Sequence, residues 1–128
     1  MSFVGEYRLK LQSDPDLVSK FKKVQVTSAQ LLAIRATPKT LVAAPGSGKL
    51  IQLISGIARL NAGSIVYTES DDNLVVRYTN TTGAIVSQTG QTTGFIDQTG
   101  NMLTAILPIV DPIVTEAGGL NEALVLHN

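Results

Sequence analysis

The stretch Leu50-Ile51-Gln52-Leu53-Ile54-Ser55-Gly56-Ile57-Ala58-Arg59-Leu60 is the strongest apolar run of the chain. Ile51, Leu53 and Ile57 fall on alternating positions, which is the period of a strand with one buried face. Gly56 is a candidate β-bulge, because a glycine inside a strand often marks one. The run is far shorter than the ~20 apolar residues that a membrane helix needs. We therefore expect a strand in a soluble protein with no membrane contact.

Shorter β-like segments surround this run and are separated by turns rich in Asn, Asp and Gly. Such spacing is typical of an antiparallel sandwich or barrel. We predict an all-β fold: an antiparallel β-sandwich (jelly-roll-like) or barrel with one or two short helices. The predicted strands cover 24–27, 40–43, 64–68, 74–79 and 84–87, with further apolar strips at 102–109, 113–114 and 123–126.

Residues 1–23 differ in texture from the rest. Tyr7, Leu9 and Leu11 alternate with polar residues, which indicates a short strand or an extended arm. Asp14-Pro15 has the pattern of a helix N-terminus, which predicts a short helix over 14–22. So short a helix is marginal alone and must dock on its own domain or on a neighbouring copy.

We therefore predict two parts: residues 1–23 as an N-terminal arm with a short helix, and residues 24–128 as a β-sandwich domain. The arm is expected to be ordered by contact with a neighbour. The alternative is that it adds a strand to the chain's own sheet. A second helical turn is predicted over 28–34, capped by Ser28 and ended by Thr37-Pro38.

Composition narrows the function classes. The chain of 128 residues is 44% hydrophobic, so it has room for one core, and it has no cysteine, so neither disulfides nor thiolate metal sites are expected. No basic region followed by an apolar block opens the sequence, so no secretion signal is expected. The net charge is zero, which argues against specific nucleic-acid binding. Residues 1–60 hold nine of the ten Lys and Arg. These basic residues either form ion pairs with the acidic residues of the same chain or bind acidic patches on further copies of it.

The stretch Ala43-Ala44-Pro45-Gly46-Ser47-Gly48-Lys49-Leu50 resembles a phosphate-binding Walker A loop. That motif needs a glycine where Ala43 stands, a Mg²⁺-binding hydroxyl where Leu50 stands, and a helix after the lysine. All three parts are missing or contradicted by the β-like run that follows. We predict a tight turn between two strands and no nucleotide cofactor.

The remaining candidates for chemistry are few. His127 is the only histidine and is expected to be solvent-exposed rather than catalytic. Glu69, Asp71 and Asp72 form the densest acidic group, but they lack calcium-loop spacing, so we expect a solvated turn and no metal. No Gly-x-Ser-x-Gly motif occurs. We therefore predict no enzyme and no catalytic, cofactor-binding or metal-binding residues.

Tyr67 and Tyr78 flank the acidic turn. Two exposed tyrosines could stack on a sugar, with the polar segment 88–101 beside them, whereas cross-strand packing is the commoner use of such a pair. The segment 88–101 repeats Gln-Thr-Gly loosely, and we predict a loop anchored by Phe95 and Ile96. A carbohydrate-binding module is therefore the alternative function.

The order of several segments resembles a group of small virion structural proteins of tailed bacteriophages and prophages. The similarity covers roughly 24–128, and its most specific part runs from Thr37-Pro38 to Gly48-Lys49. The segments that carry it are Val26 to Ala33, Thr37 to Lys49, Tyr67-Thr68, Leu74 to Tyr78, and Asn121 to Asn128.

The resemblance implies a virion component, assembled in the host cytoplasm, of the kind that acts as capsid cement or decoration. Expected partners are further copies of the chain and the phage major capsid protein or another virion protein. In the alternative function, the chain is a phage tail or surface carbohydrate-binding module. In this group the chain usually continues into one more strand, whereas this sequence stops at Asn128. Its last sheet edge is therefore expected to be open or completed by a neighbour.

Overall fold

In a computed structural model, the described residues form seven strands and two short helices. The structure describes the backbone of residues 2–11, 14–68, 73–110 and 114–128, and the side chains of these ranges from residue 21 onward. The strands are β1 (Ser2–Leu11), β2 (Asp14–Gln25), β3 (Lys39–Val42), β4 (Lys49–Leu60), β5 (Val75–Tyr78), β6 (Met102–Ile106) and β7 (Leu124–His127), and the helices are α1 (Ser28–Leu32) and α2 (Glu116–Gly119).

All strand pairings are antiparallel and build two sheets. The strand order is β2-β1-β4-β6 in the four-stranded sheet and β3-β7-β5 in the three-stranded sheet. The predicted β-rich, antiparallel class with short helices is confirmed. The barrel alternative is wrong for the described part of the chain, because both sheets have open edges there.

The core draws on both sheets. In β4, Ile51, Leu53, Ala58 and Leu60 are buried, whereas Gln52, Ile57 and Arg59 on the opposite face are exposed. Each buried aliphatic side chain contributes about 1.5–3 kcal/mol by leaving water. The three-stranded sheet adds side chains to the same cluster, among them Leu41, Val76, Tyr78, Leu124 and Leu126.

The helix predicted over 14–22 is wrong, because these residues belong to β2. β2 forms a hairpin with β1, paired from Ser2↔Gln25 to Leu11↔Asp14, and this strand pairing overrides the local helix signal of Asp14-Pro15. β1 in turn pairs with β4 on its other side, so it is an interior strand of the chain's own sheet. The predicted boundary between residues 23 and 24 lies inside β2.

The helical turn predicted over 28–34 is confirmed as α1, but its cap is Thr27 and not Ser28. The Thr27 hydroxyl accepts a hydrogen bond from the Gln30 amide, and the Gln30 side chain accepts one from the Thr27 amide. This is a capping box, in which two helix-end donors are satisfied reciprocally. The short helix α2 was not predicted; it is capped by Thr115.

Some of the other predicted strands are confirmed and some are not. Strands β3, β5, β6 and β7 confirm the segments predicted near 40–43, 74–79, 102–109 and 123–126. The segment 64–68 forms no strand. The segment 84–87 is joined to β5 by one isolated bridge, Arg77↔Ile85, and by a few backbone hydrogen bonds. The bulge in β4 is at Ile54 and not at Gly56, because Glu6↔Ser55 is followed by Tyr7↔Leu53. Of the strip 113–114, residue 113 lies outside the described residues.

The last strand, β7, is the middle strand of its sheet. It pairs with β3 on one side and with β5 on the other. The expected open edge therefore does not belong to the C-terminal strand. The edge strands of that sheet are β3 and β5, and the segment 84–87 forms backbone hydrogen bonds to the outer edge of β5 at Val76 and Tyr78.

Candidate interaction surface

The loop of residues 43–48 connects the two sheets and leads directly into β4. Gly46 and Gly48 have φ angles of 104° and 71°, which favour glycine. The backbone amide of Gly46 donates a 2.7 Å hydrogen bond to the Asn121 side chain, and the Asn121 amide donates to the Lys49 carbonyl oxygen at 2.8 Å. The prediction that a turn followed by a strand occupies this place is confirmed, although β3 and β4 lie in different sheets.

The prediction that His127 is solvent-exposed is wrong. It ends β7, where it is paired with Val75, and it is partly buried. Its Nε2 atom lies 3.1 Å from the carbonyl oxygen of Arg35, and its Nδ1 atom is buried without a hydrogen-bond partner. The side chain thus ties β7 to the turn after α1.

The acidic group Glu69, Asp71 and Asp72 lies outside the described residues. Within the described ranges, the structure contains no group of three or more His, Cys, Asp or Glu side chains placed to hold a metal ion.

The two tyrosines do not form an exposed platform for a sugar. Tyr78 is only 5% exposed, and its hydroxyl donates to the carbonyl oxygen of Ile51. Tyr67 is partly buried against the core, and its hydroxyl donates to the Ser28 hydroxyl at 2.6 Å. Nor are they a cross-strand pair, since Tyr67 lies in no strand. Burial explains both positions: the rings fill the core and their hydroxyls find local acceptors.

The segment 88–101 is a loop closed around two apolar anchors, as predicted. Phe95 and Ile96 are buried, and their amides both donate to the Thr92 carbonyl oxygen at 3.0 Å. The Gly94 amide donates to the Asp97 carboxylate at 2.8 Å. These contacts hold the loop against the core.

A cleft of about 590 Å³ opens between β4 and α2. That volume is in the range of small-molecule pockets. Its lining is mostly aliphatic, so a molecule there would be held mainly by apolar contact. The lining comprises Leu50, Gln52, Leu53, Ile54, Tyr78, Val86, Pro108, Ile109, Val114, Thr115, Glu116, Gly119 and Leu120.

The four-stranded sheet presents large apolar side chains on the face turned away from the core. We call this the outer face and define it by Phe21, Lys23, Ile57, Arg59, Leu103 and Ala105. The register places Ile57 beside Ala105 and Arg59 beside Leu103. Lys23 and Ile57 are both paired with residue 4 of β1, from its two sides.

Exposure on the outer face is high for residues of this size. Phe21 is 75% exposed, Leu103 69% and Ile57 52%. Scattered single apolar residues on a surface are ordinary, but several on one sheet face form a patch of the kind that marks protein interaction sites. The outer face is therefore the candidate interaction surface of this protein.

The sequence contained a signal for this face that its analysis missed. The pattern of β4 alternates from Ile51 to Leu53, yet Ile57 stands on the other face because the bulge at Ile54 shifts the alternation by one residue. A bulge at Gly56 would have turned Ile57 outward as well, whereas strict alternation from Ile51 without a bulge would have left Ile57 in the core.

No family model matches the chain, and neither a curated protein nor a solved structure is significantly similar to it. Among the described residues, neither helix has the length and apolar character that a membrane span requires.

Proposed function

We propose that this chain is a non-enzymatic virion structural protein of a tailed phage, most specifically a capsid cement or decoration protein. It would stabilise the phage shell through protein–protein contacts, with further copies of itself and the major capsid protein as partners. The observation that carries the proposal is the outer face, where Phe21, Ile57 and Leu103 are exposed on one sheet. The segment resemblance to small phage virion proteins supports the same class.

The proposal includes the packing of the two sheets. We infer a sandwich-type arrangement, in which the buried side of β4 faces the three-stranded sheet. Buried side chains of both sheets belong to one hydrophobic cluster, and Tyr78 of β5 donates to the backbone of β4. Such packing leaves the outer face free for partners, which suits a protein that acts by contact rather than by chemistry.

The chemistry of the outer face indicates how it would bind. Burying an exposed Phe or Ile side chain against a partner stabilises the complex by about 1.5–3 kcal/mol before the ordering costs are counted. Lys23 and Arg59 border these apolar residues and can form ion pairs with acidic residues of a shell protein.

The test uses particles of the phage or prophage whose genome encodes the chain. Particles made without the gene are mixed with purified protein, and binding is measured by sedimentation and by cryo-electron microscopy. We expect the wild type to bind at many equivalent positions and to raise the temperature at which particles release DNA. Phe21→Ser and Ile57→Ser should weaken binding, whereas Leu32→Ser, an exposed leucine in α1, should not. Absence of the protein from purified particles would contradict the proposal.

A further inference from the structure

β6 is an edge strand whose second edge is unpaired in the described part of the chain. It bonds to β4 on one side and ends the order β2-β1-β4-β6. The edge stops at Leu107, whose carbonyl oxygen accepts a hydrogen bond from the Gln88 amide. Over Met102–Ile106 the backbone groups on the free side are therefore available to another strand.

The two edges of this sheet differ in charge. β2, at the opposite edge, carries Lys20, Lys22 and Lys23, and lysines are a common means by which natural proteins discourage edge pairing. β6 contains no charge and no proline, and the surrounding sequence is uncharged from residue 98 to residue 110. Only one edge of the sheet is thus protected against another strand.

We infer that the free edge of β6 pairs with β6 of a second copy, antiparallel, about a twofold axis at Thr104. The inference deepens the proposed function, on which it rests for its setting, by naming one of its partners. In this register Leu103 stands opposite Ala105 of the second copy, and Thr104 stands opposite its own counterpart.

Side-chain size favours a second copy as the occupant. Leu103 and Ala105 are both exposed on the outer face, so each large side chain meets a small one across the pair, twice by symmetry. Ala105 is itself paired with Ile57 on its other side, so Leu103 of the second copy lies in the same row as Ile57, across the small Ala105. A row of apolar side chains then runs across the junction.

Charge favours the same occupant. A charged strand of another protein would find no opposite charge along β6. The β6 strand of a second copy is uncharged and therefore needs no opposite charge. The product is one continuous sheet that contains the four strands of both copies, with the outer faces joined side by side.

The first test is the mass of the full-length protein in solution, measured by sedimentation at concentrations up to about 1 mM. At that concentration a dimer with a binding free energy of only about −4 kcal/mol is still detected. We expect a monomer–dimer equilibrium. Leu103→Lys should raise the dissociation constant of the dimer at least about tenfold. The substitution removes two cross-strand contacts and places a charge at the position of each. Ile65→Lys, at an exposed site outside both sheets, should match the wild type. A wild-type monomer throughout, or equal association of both variants, overturns the inference.

The second test checks the register. The chain has no cysteine, so introduced cysteines are the only thiols. Leu103→Cys and Ala105→Cys proteins, mixed and oxidised, should form a disulfide-linked dimer of one with the other. Neither protein alone should do so, because each cysteine faces a residue of the other kind. Equal cross-linking in the unmixed samples overturns the register. Both measurements use the isolated protein, so they can fail while particle binding succeeds, and the reverse.

Discussion

The hydroxyl of Tyr78 donates a 2.6 Å hydrogen bond to the backbone carbonyl oxygen of Ile51, and this bond joins the two sheets. Tyr78 ends β5 of the three-stranded sheet, and Ile51 lies near the start of β4 in the four-stranded sheet. Both side chains are buried. The bond therefore fixes a polar contact inside a core that is otherwise almost entirely aliphatic.

Tyr78→Phe should lower the free energy of unfolding by about 1–2 kcal/mol, because a buried bond is lost while the ring remains. Urea denaturation with an unchanged slope is the measurement. Tyr67→Phe is the matched control: its hydroxyl bonds to Ser28 at an exposed position, and the loss should be at most about 0.5 kcal/mol. Equal losses in the two variants would contradict a special role for the inter-sheet bond.

Tyr78 also predicts a dependence of stability on alkaline pH. Burial raises the pKa of the Tyr78 hydroxyl above its ordinary value of about 10, so the folded protein holds this proton more tightly than the unfolded chain does. Its contribution is therefore fully present below pH about 10 and is lost as pH rises through the folded-state pKa. The free energy of unfolding should fall more steeply above pH 10 in the wild type than in Tyr78→Phe. Parallel curves would contradict this.

Gly83 closes the turn that follows β5, and a side chain there has no room. A Cβ atom at Gly83 would overlap the carbonyl oxygen of Tyr78. Gly83→Ala should therefore cost about 2–3 kcal/mol of stability, since the turn must shift and with it the hydrogen bond between the Tyr78 amide and Ala84. Gly63→Ala, where the added atom meets nothing, should change stability by less than about 0.5 kcal/mol. The melting temperatures of the two variants test this prediction. Equal melting temperatures for Gly83→Ala and Gly63→Ala would contradict it.

The loop before β4 should bind neither ATP nor GTP. Its Gly46 amide already donates to Asn121, Lys49 begins a strand, and Leu50 offers no hydroxyl for Mg²⁺. Calorimetry with each nucleotide and Mg²⁺ should show no saturable heat. Mg²⁺-dependent binding that disappears in Lys49→Ala would prove the prediction wrong.

Deletion of residues 1–23 should destabilise the protein. It removes β1 and residues 14–23 of β2, and so leaves one edge of β4 without its partner. We expect precipitation or a clearly lower melting temperature. A truncated protein that keeps its melting temperature but no longer associates would instead support the assembly-arm interpretation.

A charge variant separates the two roles of that stretch. Replacing Lys20, Lys22 and Lys23 with Gln keeps the strand and removes the positive charge. If the role of the stretch is to complete the sheet, this variant should melt like the wild type. Loss of particle binding at an unchanged melting temperature would show that the lysines contact a partner.

The sequence by itself determined the antiparallel β class and the strand at Leu50–Leu60, because alternation and turn residues are local features. It also determined that the loop before Lys49 lacks two Walker A residues. The helical turn after Thr27 is also a local feature, although the sequence prediction placed its cap at Ser28 instead of at the Thr27–Gln30 capping box.

Only the tertiary structure decided the pairing order and, with it, the exposed surface. Asp14-Pro15 favours a helix locally, but β2 forms a hairpin with β1, and β1 is paired on its other side with β4, whose residues lie far away in the chain. Likewise, alternation tells which side chains share a face but not which strand lies alongside. The bulge at Ile54, which turns Ile57 to the outer face, arises from the register with β1, and the open edge of β6 arises from the order of the sheet.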